Sequence, residues 1–508
     1  MSSLFLLIAM LASLATHCVI AYDINDPATN LDFFVRTGGN KNPNVSTIVY
    51  FNGTVFSRQP HQLLKKLLNF EGYNINRKIW TSEGKGGYKS LSLEFVVYRD
   101  PVTMEILEIF MNPMTSKPNE VFFVANNPVN GILELGDIIP AKILPSAILN
   151  FDLDVILEYP NPLDPLYYAP YSAGPVYDAV ELFTYFSNVT LLSTIKDVSV
   201  GMTGTWIRKS QFLPWMNMSS SPGNLFYTTL AWTCNNSFDA CVADDIKDFV
   251  MRQYSDFTDA PKTFEVPNET SWTQFKKVID SRRHRGLPEI ILPEVGTKSN
   301  ITTHVTSIDD RVKNFFKQEQ SFHLLFNGSV YSEITGKDNQ RLFDVVGDIF
   351  VGVVDISAQN NFQVLLSATG SFVDPTTRNV LHNWTNPFTN VSTSVPEIKF
   401  SDSKTVPVDF VYTIDIPDRK CVGLIAAHSE TSTSRAFNDS DYLKAVDDDD
   451  WIVNIADLIF GYDELDKDTS ETFVYGTFGA FSSWPSWLGM GDLPGNLVAK
   501  TSVHRICD

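Results

Sequence analysis

The sequence predicts an all-β protein of two tandem, duplicated domains, each an antiparallel β-barrel or sandwich with a few short helices. Three observations carry that reading: a hairpin-like stretch that occurs twice, two further segments that recur at nearly the same spacing, and a strand-and-turn pattern throughout. DPVTMEILEIFMNPMT (100–115) returns without a gap as DPTTRNVLHNWTNPFT (374–389), with seven of sixteen positions identical. FNGTVFS (51–57) returns as FNGSVYS (326–332), and WMNMSSSPGNL (215–225) as WLGMGDLPGNL (487–497). The offsets are 274, 275 and 272 residues, in the same order along the chain. Solenoid repeats run to roughly 20–50 residues, so this period means two related domains. A length of 508 residues agrees, because single cores rarely organise so long a chain.

The elements follow in order. Residues 1–21, MSSLFLLIAMLASLATHCVIA, are apolar and end in small residues at Ala21. That is the pattern of a secretory signal peptide cleaved before Tyr22, although the usual N-terminal Lys or Arg is missing. The first domain spans 22–290. STIVYFNGTVF, KSLSLEFVVYRD, EILEIFMN, NEVFFVAN, AILNFDLDVILEY and NLFYTTLAW are runs rich in β-branched and aromatic residues, separated by DP, NP, GG and PN turns. HQLLKKLLNF (61–70) fits a short helix, DAVELFTYF fits helix or strand, and SWTQFKKVIDSRR (271–283) reads as a helix with Phe275, Val278 and Ile279 on one face. In the repeated hairpin, Pro101 and Pro375 set the first turn and Asn112-Pro113 and Asn386-Pro387 the second. EILEIFM and NVLHNWT are then expected to be single strands, with Ile106, Glu108 and Phe110 on one face and Leu107 and Ile109 on the other. A connector is expected at 291–308, followed by the second domain at 309–508. Arg282-Arg283-His284-Arg285 matches a basic processing site, or equally the basic last turn of a helix.

EGYNINRK, YRDPVTMEIL, NPMT, VANNPVN, YAPYSAGPVYDAVELFTYF, LPWMNMSSSPGNL and NETSWTQFKKVIDSRR occur in that order in the first domain. Over roughly residues 27–285 they resemble an uncharacterised domain-of-unknown-function family found in secreted bacterial and fungal proteins. The resemblance implies a domain and brings no activity, cofactor or site with it. The second domain keeps the hairpin and the Trp–PGNL element but lacks VANNPVN and the tyrosine-rich segment, so it resembles a diverged copy. The duplicated layout is also similar to the paired calycin-like (lipocalin-type) barrels of some carotenoid and terpenoid hydratases, a likeness of fold alone.

Composition bounds the function. A formal charge of -20 opposes binding to nucleic acid or to an anionic membrane surface, both of which need Lys/Arg patches. After the first 21 residues no stretch approaches the roughly 18–20 apolar residues that a membrane-spanning helix needs. Eleven Asn-x-Ser/Thr sequons, at Asn44, Asn52, Asn188, Asn217, Asn235, Asn268, Asn300, Asn327, Asn383, Asn390 and Asn438, point with the leader to a secreted glycoprotein of the extracellular space or endomembrane lumen. Without Cys18, four cysteines remain: Cys234, Cys241, Cys421 and Cys507. An even number in an oxidising compartment points to two disulfides with three possible connectivities, of which Cys234–Cys241 with Cys421–Cys507 is favoured.

Chemistry has few places to reside. GxSxG, HExxH, Walker, GxGxxG and CxxC patterns are absent, and His61 and His284 of the first domain sit in no motif, so no metal or cofactor is implied. The acidic run Asp447–Asp450, with Asp439 and Asp441, lacks the spacing of a calcium loop. The richest cluster is PLYYAPYSAGPVYDAVELFTYF (165–186), with Tyr167, Tyr168, Tyr171, Tyr177 and Tyr185 beside Glu181. Tyrosines give flat apolar walls with a polar tip, and a desolvated Glu181 is suited to general acid–base work. Asn126 and Asn127 of VANNPVN, and Trp215, complete the candidate ligand-binding set. The expected function is binding of a small, largely apolar ligand in the first domain. The alternatives are a cofactor-independent isomerase, cyclase or hydratase using Glu181, and a structural extracellular glycoprotein with an aromatic loop packed over a barrel end.

Overall fold

The structure is a computed structural model. It describes residues 23–290 and 321–505, apart from 127–129, 219–220, 236, 264–268, 335–336, 338, 357–360, 417–418, 432–449 and 462–473. The expected leader, the connector 291–308, Asn127, Asn268, Asn300, Asn438, Cys507 and the acidic residues 441–449 with Asp439 lie outside the described residues.

The first domain contributes β1 (Thr47–Arg58), β2 (Lys65–Thr81), β3 (Gly87–Arg99), β4 (Ile109–Asn112), β5 (Lys117–Glu120), β6 (Val124–Asn126), β7 (Gly131–Glu134), β8 (Ala141–Leu144), β9 (Ile148–Pro160), β10 (Val176–Asn188), β11 (Thr203–Ser210) and β12 (Asn224–Cys234). Its sheet curls in the antiparallel order β6-β3-β2-β1-β12-β11-β10-β9-β8, with β7 also on β3. The second domain contributes β13 (Ser321–Glu333), β14 (Gln340–Ile356), β15 (Asn361–Val373), β16 (Asn383–Thr385), β17 (Ser392–Ser394), β18 (Ile398–Ile416), β19 (Arg419–Thr431), β20 (Trp451–Gly461), β21 (Val474–Ser482) and β22 (Asn496–Arg505). Eight of these close a barrel, β13-β14-β15-β18-β19-β20-β21-β22. Closure depends on β18, which pairs with β15 through Ile398–Pro407 and with β19 through Val408–Ile416. In the first domain that span is divided between β6 and β7 on β3 and β8 on β9. Pro140, with Gly136 at φ 109°, does not continue a ladder there.

The repeat survives as superposable detail. A β-bulge lies between Val55 and Phe56 in one copy and between Val330 and Tyr331 in the other. Asp100 Oδ1 accepts from the backbone N–H groups of Val102 and Thr103, and Asp374 Oδ1 from those of Thr376 and Thr377. The turns end in the left-handed region at Met104 (φ 61°) and Arg378 (φ 62°).

The expected single strands do not form. The Leu107 N–H bonds back to Tyr98 O on β3, whereas Glu108 O accepts from Val121, so the chain changes partner between adjacent residues. Leu381 and His382 make the same switch, to Phe372 and Val395. The following Asn then anchors the hairpin. Asn112 Oδ1 accepts from Met114 N and its Nδ2 donates to Met216 O at 3.0 Å, while Asn386 does the same with Phe388 N and Leu488 O at 2.8 Å.

The structure corrects or resolves other expectations as well. HQLLKKLLNF is not helical; from Lys65 it is β2. Leu68 and Phe70 bury on one face and Leu67 and Asn69 on the other, and a strand covered on both faces has no period-two signature. DAVELFTYF is part of β10 for the same reason. The expected helix is present as Ser271–His284, with Thr270 Oγ1 accepting from Thr273 N and Trp272, Phe275 and Ile279 buried. Arg282 in its last turn forks onto Glu120, and Arg283 pairs with Glu289. The Cys234–Cys241 disulfide is present, and Cys421 is buried on β19.

The two sheets pack face to face. Phe56, Val180, Leu182, Ile207 and Phe226 of the first domain share one core with Ala427, Trp451, Val453, Ile455 and Phe481 of the second. Lys209 pairs with Glu333 at 2.7 Å and Lys500 with Asp154 at 2.8 Å across the same face, and all four side chains are largely buried.

Candidate functional site

The tyrosines singled out in the sequence divide into two groups. Tyr168 donates to the Asp280 carboxylate beneath the Arg283 guanidinium, and Tyr171 Oη bonds Glu289 Oε2 at 3.0 Å. Both latch the 161–175 loop onto the helix Ser271–His284, while Tyr167 is exposed. These three belong to the loop packed at one end of the first domain's sheet. Trp215 is 2 % exposed and packs between Tyr98 and Phe110. Asn126 lies on β6 opposite Glu94 in register.

Tyr177, Glu181 and Tyr185 alternate along β10 and point to the concave side of the first domain's curled sheet. Their even-numbered neighbours Val180, Leu182 and Phe186 face the second domain instead. That concave side is covered at one end by Trp215 and Trp272 and at the other by the helix Pro27–Gly38 through Phe33 and Phe34. Between these ends, Arg208 on β11 donates through Nη1 to Glu181 Oε1 at 2.9 Å and through Nη2 to the Tyr177 hydroxyl. The Trp206 ring lies parallel to Phe183, centroids 5.9 Å apart, and stacks on Tyr227. Burial pushes the Glu181 carboxyl above its usual range, and Arg208 opposes that rise only in part. Burial raises the Tyr185 hydroxyl as well, with the Glu181 and Glu94 carboxylates adding to it.

The second barrel holds a cavity of about 890 Å³. Phe322, Phe362 and Phe460 line one end of it, and Leu366, Leu424 and Phe478 the middle. The other end is closed by Trp487, whose ring packs on Phe372 at 5.0 Å. Polar side chains gather at the Trp487 end: His428, whose Nε2 lies 3.3 Å from Glu430 Oε1, and Asn454, opposite His428 in register. The sequence pointed to the first domain for an apolar cavity; this one belongs to the second.

One family accounts for both halves of the chain. The family described as "Protein of unknown function (DUF1838)" matches residues 44–279 and again 319–508. The chain belongs to the DUF1838 family. No curated protein matches it. Among solved structures, the chain is 7 % identical to Acinetobacter baumannii OccAB3 (TM-score 0.15), covering 91 % of this chain and 99 % of that one. It is 9 % identical to Pseudomonas aeruginosa OpdQ (TM-score 0.14), covering 91 % and 98 %. Likenesses of that size carry no argument about fold or activity.

Strand register aligns the two DUF1838 copies residue by residue and shows why their interiors differ. β10 and β11 pair Ala179 with Ser210, as β20 and β21 pair Ile452 with Ser482. Glu181 therefore corresponds to Asn454, Trp206 to Phe478 and Arg208 to Ala480. By the ladders of β12 and β22, Tyr227 corresponds to Ala499. Two alanines in the second DUF1838 copy stand where the first has an arginine and a tyrosine. The same scaffold is filled by a charged aromatic cluster in one copy and left hollow in the other. Sequence reading missed Arg208, Trp206 and Tyr227, and it missed the cavity. The available signal was the repeat itself: Arg against Ala and Tyr against Ala are visible once TWIRKS is aligned with TFGAFS and LFYTT with LVAKT.

Proposed function

We propose that the protein binds a small, largely apolar molecule with one polar end, and that the second barrel holds it. The observation carrying this is the cavity of about 890 Å³ with apolar walls and a His428–Glu430–Asn454 group at one end. That volume falls in the range of roughly 300–1,000 Å³ typical of small-molecule sites, and a few convergent polar groups on apolar walls are what orients such a ligand. The hydrocarbon part lies toward Phe322 and Phe460, and the polar group meets His428 and Glu430.

The test fills the cavity as the first copy does. Ala499→Tyr should retain the circular dichroism spectrum of the native chain and lose at least tenfold in affinity for Nile red, measured by fluorescence titration. Native mass spectrometry of protein from its own source should show a bound mass that the variant lacks. Nile red affinity unchanged by Ala499→Tyr sinks the reading.

We also propose that the chain is exported and glycosylated. The apolar leader and the sequons support this, and Asn44, Asn217, Asn235, Asn327, Asn383 and Asn390 are exposed. Asn188 caps a short helix by accepting from Thr190 N, and Asn52 is 8 % exposed on β1, which leaves no room for a glycan in the folded chain. Treatment of secreted protein with an amidase specific for N-glycans should lower its mass and convert the exposed asparagines, but not Asn52, to aspartate. An unchanged mass refutes the proposal.

A further inference from the structure

The wall of the second barrel is incomplete at one corner. The ladder of β18 on β19 stops at Val408, beside a bulge between Val408 and Phe410. The residue before it, Pro407, has no N–H to give that neighbour. Ile398–Pro407 pair with β15 alone, and Ala427–Thr431 of β19 pair with β20 alone, among the described residues. The two strands therefore part at the end of the barrel where His428, Glu430 and Asn454 gather.

The cavity runs out through this gap. Ile398 and Phe400 share the inward face of Leu366 and Phe372 on β15, whereas Lys399 and Ser401 point outward, opposite Thr369 and Ser367 in register. Lys399 and Ser401 are exposed, yet they border the cavity with Ile398 and Phe400. Outward residues border an interior cavity where it passes the free edge of their strand. The β19 side is anchored by the first domain. Ser429 Oγ accepts from Leu64 N at 2.7 Å, and Arg58 lies 4.4 Å over the ring of Trp451, which stands opposite Thr431.

Shape and charge at the gap narrow the ligand class. Along β13 the cavity lining runs from Phe322 to Val330. At roughly 3.3 Å per residue and a tilt of roughly 35–45°, that is about 20 Å along the barrel, against about 12 Å across a sphere of about 890 Å³. An extended chain fills such a tunnel and a compact ring system does not. At the gap end Glu430 is buried, 3.3 Å from His428 Nε2. A carboxylate head would lie beside the Glu430 carboxylate, whereas a hydroxyl donates to it and accepts from the Asn454 amide. Lys399, at the outer lip, is screened by solvent and weighs less than a buried carboxylate.

We propose that the ligand of the second barrel is a long, unbranched primary alcohol that enters chain-first between β18 and β19 and leaves its hydroxyl at the gap with Glu430 and Asn454. This rests on the reading of the second barrel as the binding site.

The test uses the full chain and three fluorescent probes: parinaryl alcohol, parinaric acid, which carries a carboxylate on the same unbranched chain, and 1-pyrenemethanol, a compact alcohol. Parinaryl alcohol should bind at least tenfold more tightly than either. In stopped-flow measurements Ser401→Trp, which narrows the gap from its outer lip, should slow association and dissociation at least fivefold each while Kd changes less than twofold. Phe400→Ala, which widens the gap, should speed both. A residue that served folding alone would not move the two rates together at constant Kd. The ligand class is overturned if the acid or 1-pyrenemethanol binds as well as parinaryl alcohol, and the route is overturned if neither variant changes the rates. Both failures are distinct from that of the underlying reading, which stands as long as Nile red binds and Ala499→Tyr removes it. If Ala499→Tyr leaves Nile red bound, that reading falls and this proposal with it.

Discussion

Thr205 and Thr477 hydrogen-bond to each other through their side-chain hydroxyls at 2.7 Å, and they are the same residue of the two repeats. Thr203 and Tyr475, one step along the same strands, do likewise at 3.0 Å. A residue in contact with its own copy marks a local two-fold axis, so β11 and β21 meet as the matching strands of an isologous dimer would. The ion pairs flanking the axis do not share that symmetry. Lys209 and Glu333 correspond to Phe481 and Arg58, so this pair has no counterpart across the axis. Symmetric backbone packing with one-sided charges fits a chain whose halves have become specific for each other.

The shared core should therefore couple the halves. Phe226 is fully buried against Phe481, centroids 5.4 Å apart, and against Trp451 at 6.0 Å. Phe226→Ala should cost roughly 3–5 kcal/mol. Because the lost contacts lie between the domains, calorimetry should show one transition for the native chain and two for the variant. A single, merely cooler transition would mean that the interface does not set cooperativity.

The hairpin Asn is expected to act within its own domain. Asn112 and Asn386 are fully buried, and each ties the hairpin to the Trp-bearing turn through its amide. Replacing either by Ala leaves a backbone carbonyl buried without its donor, at a cost of about 2 kcal/mol. Urea titration followed by tryptophan fluorescence should show losses of similar size for Asn112→Ala and Asn386→Ala. A loss below about 0.5 kcal/mol for both would reduce the motif to turn geometry.

Much of this was legible in the sequence, and the failures have physical causes. The duplication, the β class and the helix Ser271–His284 were readable because turn residues and caps are local chemistry. The helix Pro27–Gly38 was not anticipated, although Asp26 caps it by accepting from Thr29 N and Pro27 starts it; the Asp-Pro dipeptide reads equally as a turn. β2 and β10 bury both faces, so their alternation disappears. The tyrosine cluster was half legible. Tyr177, Glu181 and Tyr185 do share one interior, but Tyr168 and Tyr171 serve a helix that follows a hundred residues later. No local pattern announces a partner so distant, and none shows that Ala480 and Ala499 leave a void.

The Phe-Asn-Gly anchor has a steric cause that repetition alone only hinted at. A Cβ on Gly53 would lie 2.2 Å from Thr228 O, and on Gly328 1.8 Å from Lys500 O. Both clashes are with backbone of the neighbouring strand, which has no rotamer to give way. Gly53→Ala and Gly328→Ala should each lower stability by roughly 2–3 kcal/mol, measured by thermal denaturation. Either substitution proving neutral would show that β12 or β22 can shift without breaking its ladder.

Asp457 gives the interface a pH dependence of defined sign. Its carboxyl is fully buried on β20 and accepts from the Thr228 hydroxyl across the domain boundary, while Oδ2 has no partner among the described residues. Burial pushes its pKa well above the ordinary 3.8, and the bonds from Thr228 and the Thr229 backbone only partly offset that. A carboxyl whose folded pKa is raised binds its proton more tightly in the folded state. Its burial is then uncostly at low pH, and stability falls as pH rises above 3.8 toward the folded value, by about 1.4 kcal/mol per pH unit within that window. Asp457→Asn resembles the protonated form and still accepts from Thr228. The variant should match the native chain near pH 4 and exceed it in stability near pH 7, with the gap widening as pH rises. Paired denaturant titrations from pH 4 to 8 measure that gap directly; one that is constant, or that reverses at high pH, would show that Asp457 is charged and fully compensated in the folded interface.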